Sequence, residues 1–540
     1  MEPVDQQPPA PIAPPPWLTP QALRKVIVGL LFFIGWTWLV IRFVGLSVSP
    51  PGFFMDEATP AIHAMCLAEV GTDSEGHPWP LYAHAAGGGS HTLALLAFEI
   101  VWIKFFGTSR ASFRAVAGFW FLVTACGLFF FARTLSTLNP APPEDEAGQQ
   151  ARQAFPWLVL LAALVSPWAF QFSRIGWDPP VAPAYMVWSL VGVLRAHRGG
   201  RRAIVWSVFA GFAAAMSMIA YAPLRAVEPL VLGLLIGCLL VLDKEWRQRW
   251  KLVRRLVVTA MVAAVCLVPT VRMMAQGTIN ERLNNIAIWR PDWMREHAGA
   301  TPKWIFLIET FLDNMWAHLR PSFLFITGDT SLRHSPQISG HLSPLDMLAL
   351  ALAAGVAMTI IYRSVCGRVP LPGLPGMVLS PSSRLLFAVA IGALASWLFA
   401  LVPAALTFDA IPHAIRAIGA WPFVVLLSGA VLALAWAHWK WLPPVLALVA
   451  VAHTLYYLPA YFHAYDKAPN HWFMRDMTDV LEKETKEKPP KTVQQIVSDH
   501  FGYSYYYDEV PRFYLMSEAG MGCVEARLTV RKWRDRENGK

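Results

Sequence analysis

Apolar runs near the length that crosses a bilayer, ~20 residues, recur along most of the chain. They fall at 22–46, 110–133, 153–173, 180–195, 203–222, 226–242, 256–275, 345–362, 385–406, 417–438 and 442–463. This pattern predicts eleven spanning helices. A further apolar stretch, 91–107, carries Glu99 and Lys104. The loops at 195–202 (RAHRGGRR) and 243–255 (DKEWRQRWKLVRR) are rich in Arg and Lys, and RSVCGR (363–368) is moderately basic. With Arg24 and Lys25 at the first run, they place the N-terminus and these loops on the cytoplasmic side. A span at 91–107 would break that parity, so this stretch reads as an interfacial helix. The segment after 463 then lies outside.

The same parity sorts the connections. The acidic loop 136–152 is cytoplasmic and expected to be irregular. The regions 47–109, 174–179, 223–225 with 276–344, and 407–416 face outward. The tail 464–540 mixes a polar helical stretch (471–488) with alternating runs at 492–497, 512–516 and 526–533. It reads as a small extracytoplasmic α+β segment. Residues 1–21 are Pro-rich and expected to be disordered. The main body is a membrane domain over 22–463. Its first helix has no cleavable signal before it and reads as a signal-anchor.

Composition agrees. Of 540 residues, 55% are hydrophobic and only 15% charged, against about 25% in soluble domains. The 24 Trp suit interfacial belts. The net charge of +9 is explained by topology-setting Arg and Lys, so no nucleic-acid partner is implied. The Cys residues show no C-x-x-C spacing. Cys66 and Cys523 both fall outside, which leaves a disulfide between them open.

The outer regions hold the unusual chemistry. After Pro50 and Pro51 come Phe53, Phe54 and the adjacent carboxylates Asp56 and Glu57, opening a short helix (58–70). The acids suit helix-start capping. Placed where the chain meets a membrane, they also invite a functional task. Single arginines mark outer helix ends: Arg174, Arg225 and Arg416. They suit either snorkelling or a local ion pair, such as Arg174 with Asp178, or else joint binding of a phosphate. The long outer loop adds Arg290, Lys303, His318, Arg320, Asp329, Arg333 and His334. Its length argues for function.

In order, PPGFFMDEATPAIHAMCLAEVGTD (50–73), HPWPLY (77–82), FFGTSRASFR (105–114), FSRIGW (172–177), HLRPSFLFITGDTSLRHS (318–335) and PHAIRAIGAWP (412–422) resemble the GT-C membrane glycosyltransferases. That superfamily includes the protein O-mannosyltransferases and the aminoarabinose transferase acting on lipid A. The resemblance covers about 22–463 and implies an all-α GT-C fold with juxtamembrane helices in the first outer loop. It implies transfer of a hexosyl or pentosyl group from a polyprenyl-phosphate carrier to an acceptor hydroxyl, with inversion, at the outer face of a bacterial inner membrane. The acceptor is left open: protein, lipid A, glycan or another lipid. Asp56 is then the expected base, with Glu57 orienting it or contacting the sugar. Arg174, Arg333, Arg416 and His334 are expected at the phosphate. Arg225, Arg320, Asp178 and His84 complete the substrate-binding set. Members of the family carry Lys-Pro-Pro or His-Pro-Pro near the second juxtamembrane helix. Here the stretch reads WPLYAHAAGGGSH (79–91), with His84 and His91 but no Lys. No metal set stands out; a divalent cation on Asp56 with Asp178 or Glu57 stays open. A lipid-linked glycan ligase or polymerase, a transporter, and a non-catalytic scaffold are the alternatives.

Overall fold

The computed structural model describes residues 20–85, 89–138, 145–242, 245–366, 381–469, 472–484 and 509–537. The first half of the chain builds α1 (Pro20–Ile41), α2 (Met55–Val70), the hairpin strands β1 (Tyr82–Ala85) and β2 (Gly89–Thr92), α3 (Leu93–Phe106), α4 (Arg110–Ser136), α5 (Glu146–Leu164), α6 (Pro167–Phe172), α7 (Val181–Arg198), α8 (Ala203–Ala220), α9 (Leu224–Leu242) and α10 (Trp246–Ala275). Then follow α11 (Glu281–Ile286), α12 (Pro291–His297), α13 (Lys303–Leu319), a π turn (Ser322–Ile326), α14 (Pro344–Cys366), α15 (Pro381–Ala405), α16 (Trp421–His438) and α17 (Leu442–Asp466). The tail supplies α18 (Arg475–Glu484), α19 (Glu509–Ser517) and α20 (Cys523–Glu537). The chain is thus mostly helical, and its one described sheet is the antiparallel pair β1–β2, with Ala83 opposite His91.

Each apolar run of the sequence is largely helical, though the run 22–46 leaves its helix after Ile41, and eight of the described helices are long and apolar enough to cross a bilayer. The run 153–173 is broken: α5 ends at Leu164, and Ser166 caps the separate α6 by accepting Ala169 N–H at 3.3 Å. The stretch 91–107 divides between β2 and α3, whose 14 residues extend about 21 Å at about 1.5 Å each. That is short of a hydrocarbon core of about 30 Å.

At the centre stands α16, buried along nearly its whole length and packed against α5, α15 and α14. Its Gly429 meets α5 so closely that a Cβ would lie 2.3 Å from the Val159 side chain. α1 is tied to α17 by Trp38, which stacks on His453 and Tyr457 and donates to Thr454 Oγ1 at 2.8 Å.

Three expectations are corrected. The loop 136–152 is helical from Glu146, because Asp145 caps α5 by accepting Gly148 N–H at 2.8 Å. The basic segment 243–255 is helical from Trp246 onward as the first turns of α10. In the tail, the runs 512–516 and 526–533 are helical, not extended. Val510, Phe513 and Tyr514 bury one face of α19, and Ala526 and Val530 one face of α20. Those offsets of three and four are helical periods. The run 492–497, the N-terminal residues 1–19, and Gly87 and Gly88 lie outside the described residues. The polar stretch 471–488 forms α18 over Arg475–Glu484.

Cys66 on α2 and Cys523 on α20 form a disulfide. The tail is therefore covalently fixed to the helix that carries the acidic pair. Phe53 packs on Phe513 of α19, with ring centroids 4.6 Å apart.

Candidate functional site

The chain leaving α1 reaches α2 through an irregular turn whose carbonyls need donors that no helix or strand supplies. Two buried arginines supply them, and a third, Arg42, lies within the turn itself. Arg174 donates to the carbonyls of Ile41, Arg42, Val44 and Ser49 at 2.7, 3.0, 2.9 and 2.8 Å. Arg114 donates to those of Leu46, Pro50 and Gly52 at 3.0, 2.6 and 2.9 Å. Arg42 holds the turn to α5 and α6 through Leu164 O, Ala169 O and Ser173 Oγ at 2.6, 2.9 and 2.6 Å.

Arg114 also forms a bidentate pair with Glu57, Nε to Oε1 and Nη2 to Oε2, both at 2.7 Å. Glu57 Oε1 further accepts Gly176 N–H at 2.9 Å, and Oε2 accepts Phe54 N–H at 3.4 Å. Both partners of the pair are fully buried. Two expectations change here. Arg174 is neither paired with Asp178 nor open to a phosphate, because its terminal nitrogens are committed to backbone carbonyls. Glu57 is not available to orient Asp56 or touch a sugar, because it anchors α2 to α4 and to the turn at Gly176.

The result is that Asp56, one residue earlier, is left half-buried with no hydrogen bond among the described residues. Burial raises its pKa, while Arg333, His91, Arg282 and His334 pull it back down. These four are the charges that act on it.

Arg333 lies 3.8 Å from the centre of the Phe54 ring and 5.6 Å from that of Trp472. Its Nε is buried without a partner. Burial lowers its pKa, against the opposing pull of Asp56 and Asp329. Gln171 of α6 fixes the local backbone by donating to Arg333 O at 2.8 Å. His334 donates through Nδ1 to Asp329 Oδ2 at 2.8 Å. Asp329 Oδ2 also accepts Ala414 N–H at 2.7 Å, joining this loop to the segment before α16.

His91, on β2, donates through Nδ1 to Asp178 Oδ1 at 2.8 Å. Asp178 Oδ2 accepts Thr92 N–H at 3.3 Å. Burial pushes the imidazole pKa down, but the charge and hydrogen bond of Asp178 and the charge of Asp56 outweigh it, so the net shift is upward. Its Nε2 is buried with no partner. A buried donor without an acceptor is costly, which marks this atom as one that a ligand would satisfy.

Arg416 is almost fully buried and donates to Asp409 O at 2.5 Å, Asp409 Oδ2 at 2.9 Å and Thr407 Oγ1 at 3.0 Å. Arg282 approaches the same carboxylate at 3.5 Å. Arg416 therefore holds the turn 407–416 closed on itself. The remaining expected residues stand elsewhere. Arg225 donates to Met218 O at 3.3 Å and reaches Tyr82 Oη at 3.5 Å. Arg320 is exposed at the end of α13. His84 is exposed on β1, and its carbonyl accepts from His63 Nε2 at 2.8 Å.

Of the expected residues, the structure gathers Asp56, Arg333 and His334, with Asp178 present through His91. A cation shared by Asp56 with Glu57 does not fit, because Glu57 already accepts four hydrogen bonds; Asp178 accepts two, from His91 and from Thr92 N–H. The expectation missed Arg42, Arg114, Arg282 and His413. Arg114 and His413 lie inside sequence blocks already singled out, FFGTSRASFR and PHAIRAIGAWP, so the blocks were visible but the working side chain within each was not.

No family model matches the chain, and no curated protein matches it. Among solved structures it is similar to the oligosaccharyltransferase of Archaeoglobus fulgidus in complex with zinc and sulfate, at 14% identity and a TM-score of 0.47, over 89% of this chain and 61% of that one. It is similar to the same organism's AglB in complex with an inhibitory peptide and a dolichol-phosphate, at 13% identity and a TM-score of 0.45, over 91% and 64%. It is also similar to ArnT from Cupriavidus metallidurans bound to undecaprenyl phosphate, at 14% identity and a TM-score of 0.39, over 94% and 73%. The chain spans about three fifths of the length of the archaeal enzymes it matches.

Proposed function

We propose that this chain is a membrane glycosyltransferase of the GT-C type. It moves a sugar from a polyprenyl-phosphate-linked donor to an acceptor hydroxyl, at the extracytoplasmic face of a bacterial inner membrane. Dolichol phosphate and undecaprenyl phosphate, bound in two of the structures named above, belong to the carrier class proposed here. The observation that carries the reading is the contrast between neighbouring carboxylates: Glu57 is locked by Arg114, and Asp56 is held unbonded against cationic side chains.

That arrangement suits an inverting displacement. The acceptor oxygen forms a bond to the anomeric carbon as the bond from that carbon to the phosphate oxygen breaks. The hydroxyl proton passes to Asp56 Oδ as general base. The electron pair of the broken bond stays on the phosphate, whose charge Arg333 and the His91 Nε2–H donor stabilise. Burial of Asp56 makes it a stronger base than a solvated aspartate, and the surrounding cations keep it ionised. The apolar helix faces accommodate the prenyl tail.

The test is transfer from a radiolabelled undecaprenyl-phosphate-linked sugar by the purified protein in vesicles. The sugar and acceptor come first from comparing glycans and lipids of a deletion strain with its parent by mass spectrometry. Asp56→Asn is expected to abolish transfer while the chain stays folded. Full activity in that variant removes Asp56 as the base. Identical glycans and lipids in the two strains remove the transferase reading itself.

A further inference from the structure

We propose that Asp329, His334 and His413 form a binding site for one divalent transition-metal ion, of the zinc class. The three come from two segments: the loop after the π turn carries Asp329 and His334, and the turn before α16 carries His413. The segments are pinned together by Ala414 N–H on Asp329 Oδ2 at 2.7 Å and by His413 N–H on His318 Nε2 at 3.0 Å. His318 can accept there because its Nδ1 donates to Asn314 O at 2.7 Å. The site is therefore built on a fixed backbone.

One ligand atom from each of the three residues lies within 4.8 Å of the other two. Tetrahedral ions of this class hold nitrogen and carboxylate oxygen at about 2.0–2.2 Å, so ligand atoms on one ion stand about 3.4 Å apart. Closing the gap takes combined side-chain shifts of up to about 1.4 Å. A second observation points to a ligand independently. His413 is more than nine-tenths buried, and its Nδ1 has no hydrogen-bond partner. An imidazole nitrogen left bare in a buried position is costly, and a metal removes that cost. The rings of His334 and His413 are 4.6 Å apart, so their nitrogens converge.

The donor set selects the ion. Two imidazoles and one carboxylate suit zinc or its chemical neighbours; magnesium and calcium take oxygen ligands. In the metal-free arrangement the contact between His334 Nδ1 and Asp329 Oδ2 is a hydrogen bond of 2.8 Å. Ion binding replaces that proton, the neutral imidazole then carrying its hydrogen on Nε2. Arg333 opposes a cation here. Asp329 and Asp56 together offset it, and Arg282 and Arg416 are already shared with Asp409. With three protein ligands, a fourth position stays open. Filling it with a phosphate oxygen rests on the function proposed above; binding of the ion does not.

The experiment uses the full chain in detergent, stripped by a chelator, reloaded with limiting zinc and desalted. Metal is measured by mass spectrometry, and cobalt is substituted to read visible absorption. The wild type is expected to retain about one ion per chain and to show the intense visible bands of a low-coordinate cobalt site with nitrogen and oxygen donors. His413→Ala and His334→Ala are expected to weaken binding by more than the about 10–100-fold that outer-shell changes cause. His297→Ala, an exposed control on α12, is expected to bind like the wild type. Asp329→Asn serves where a histidine variant does not fold. A wild type that retains no zinc overturns the proposal, as does unchanged binding in both histidine variants. Neither result depends on transfer activity, so a failed metal site and a failed transferase reading are separable.

Discussion

The two adjacent carboxylates of α2 should respond to mutation in opposite ways. Replacing Glu57 by Ala removes four accepted hydrogen bonds, two from Arg114 at 2.7 Å and those from Gly176 and Phe54 at 2.9 and 3.4 Å. It leaves a fully buried guanidinium without its counter-charge. Breaking one side of a buried pair costs about 3–5 kcal/mol, and each buried amide left bare adds about 1–3 kcal/mol. Arg114 keeps its three backbone carbonyls, which limits the loss, so about 4–5 kcal/mol is expected. Asp56→Asn breaks no hydrogen bond and removes a charge that burial disfavours. Its stability at neutral pH should match wild type or exceed it, because no packed or bonded feature is disturbed and the charge removed is one that burial disfavours.

The assay is unfolding in detergent followed by tryptophan fluorescence, with transfer measured on the same preparations. Glu57→Ala should melt well below wild type, and Asp56→Asn should melt at or above wild type yet be inactive. A double variant, Glu57→Leu with Arg114→Met, should recover part of the loss, because no uncompensated charge remains. If Glu57→Ala melts like wild type, or if the double variant is worse than the sum of the singles, the buried pair is not what fixes α2. If Asp56→Asn melts as low as Glu57→Ala, the division of labour between the two acids is wrong.

Further outcomes follow from the same geometry. The acid limb of the transfer rate should lie above the ordinary aspartate value of about 3.9, because burial raises the pKa of Asp56; a limb at or below that value contradicts its role as base. The same shift means the folded chain holds that proton more tightly than the unfolded one. The contribution of Asp56 to stability should thus fall as pH rises from about 3.9 through its raised pKa, a slope that Asp56→Asn should abolish in melts across that range. Reducing the Cys66–Cys523 disulfide, or making Cys66→Ser, should cost about 2–5 kcal/mol and expose α20 to protease; a non-reducing peptide map without the linked pair refutes it. Gly52 has φ +68°, and a Cβ there would lie 2.2 Å from Phe473 O. Gly52→Ala should therefore lower both melting temperature and activity, since the turn that presents Asp56 could no longer seat against the segment before α18; wild-type melting would refute this.

How much of this was legible in the sequence depends on the range of each interaction. Helices set by local period were readable, and so was the short helix carrying Asp56. The strands expected at 512–516 and 526–533 were misread because a run of five to eight residues with mixed polarity fits both periods. The choice is made by packing against α2, hundreds of residues away. The arginines show the same limit in chemical form. Isolated arginines at outer helix ends read as phosphate ligands when only the charge is counted. The missing quantity is the supply of backbone carbonyls. The turn between α1 and α2 forms no regular ladder, so its carbonyls must find donors wherever the fold brings them. A guanidinium with five N–H groups in a rigid fork can serve several at once. Arg174 and Arg114 are consumed that way, and Arg42 on carbonyls of α5 and α6, at separations of 62 to 133 residues, which no sequence period reveals. An arginine facing an irregular, partly buried turn is thus more readily a staple than a ligand. In the proposed reaction the arginine left for the phosphate is Arg333, which lies over the Phe54 ring and feels the charge of Asp56.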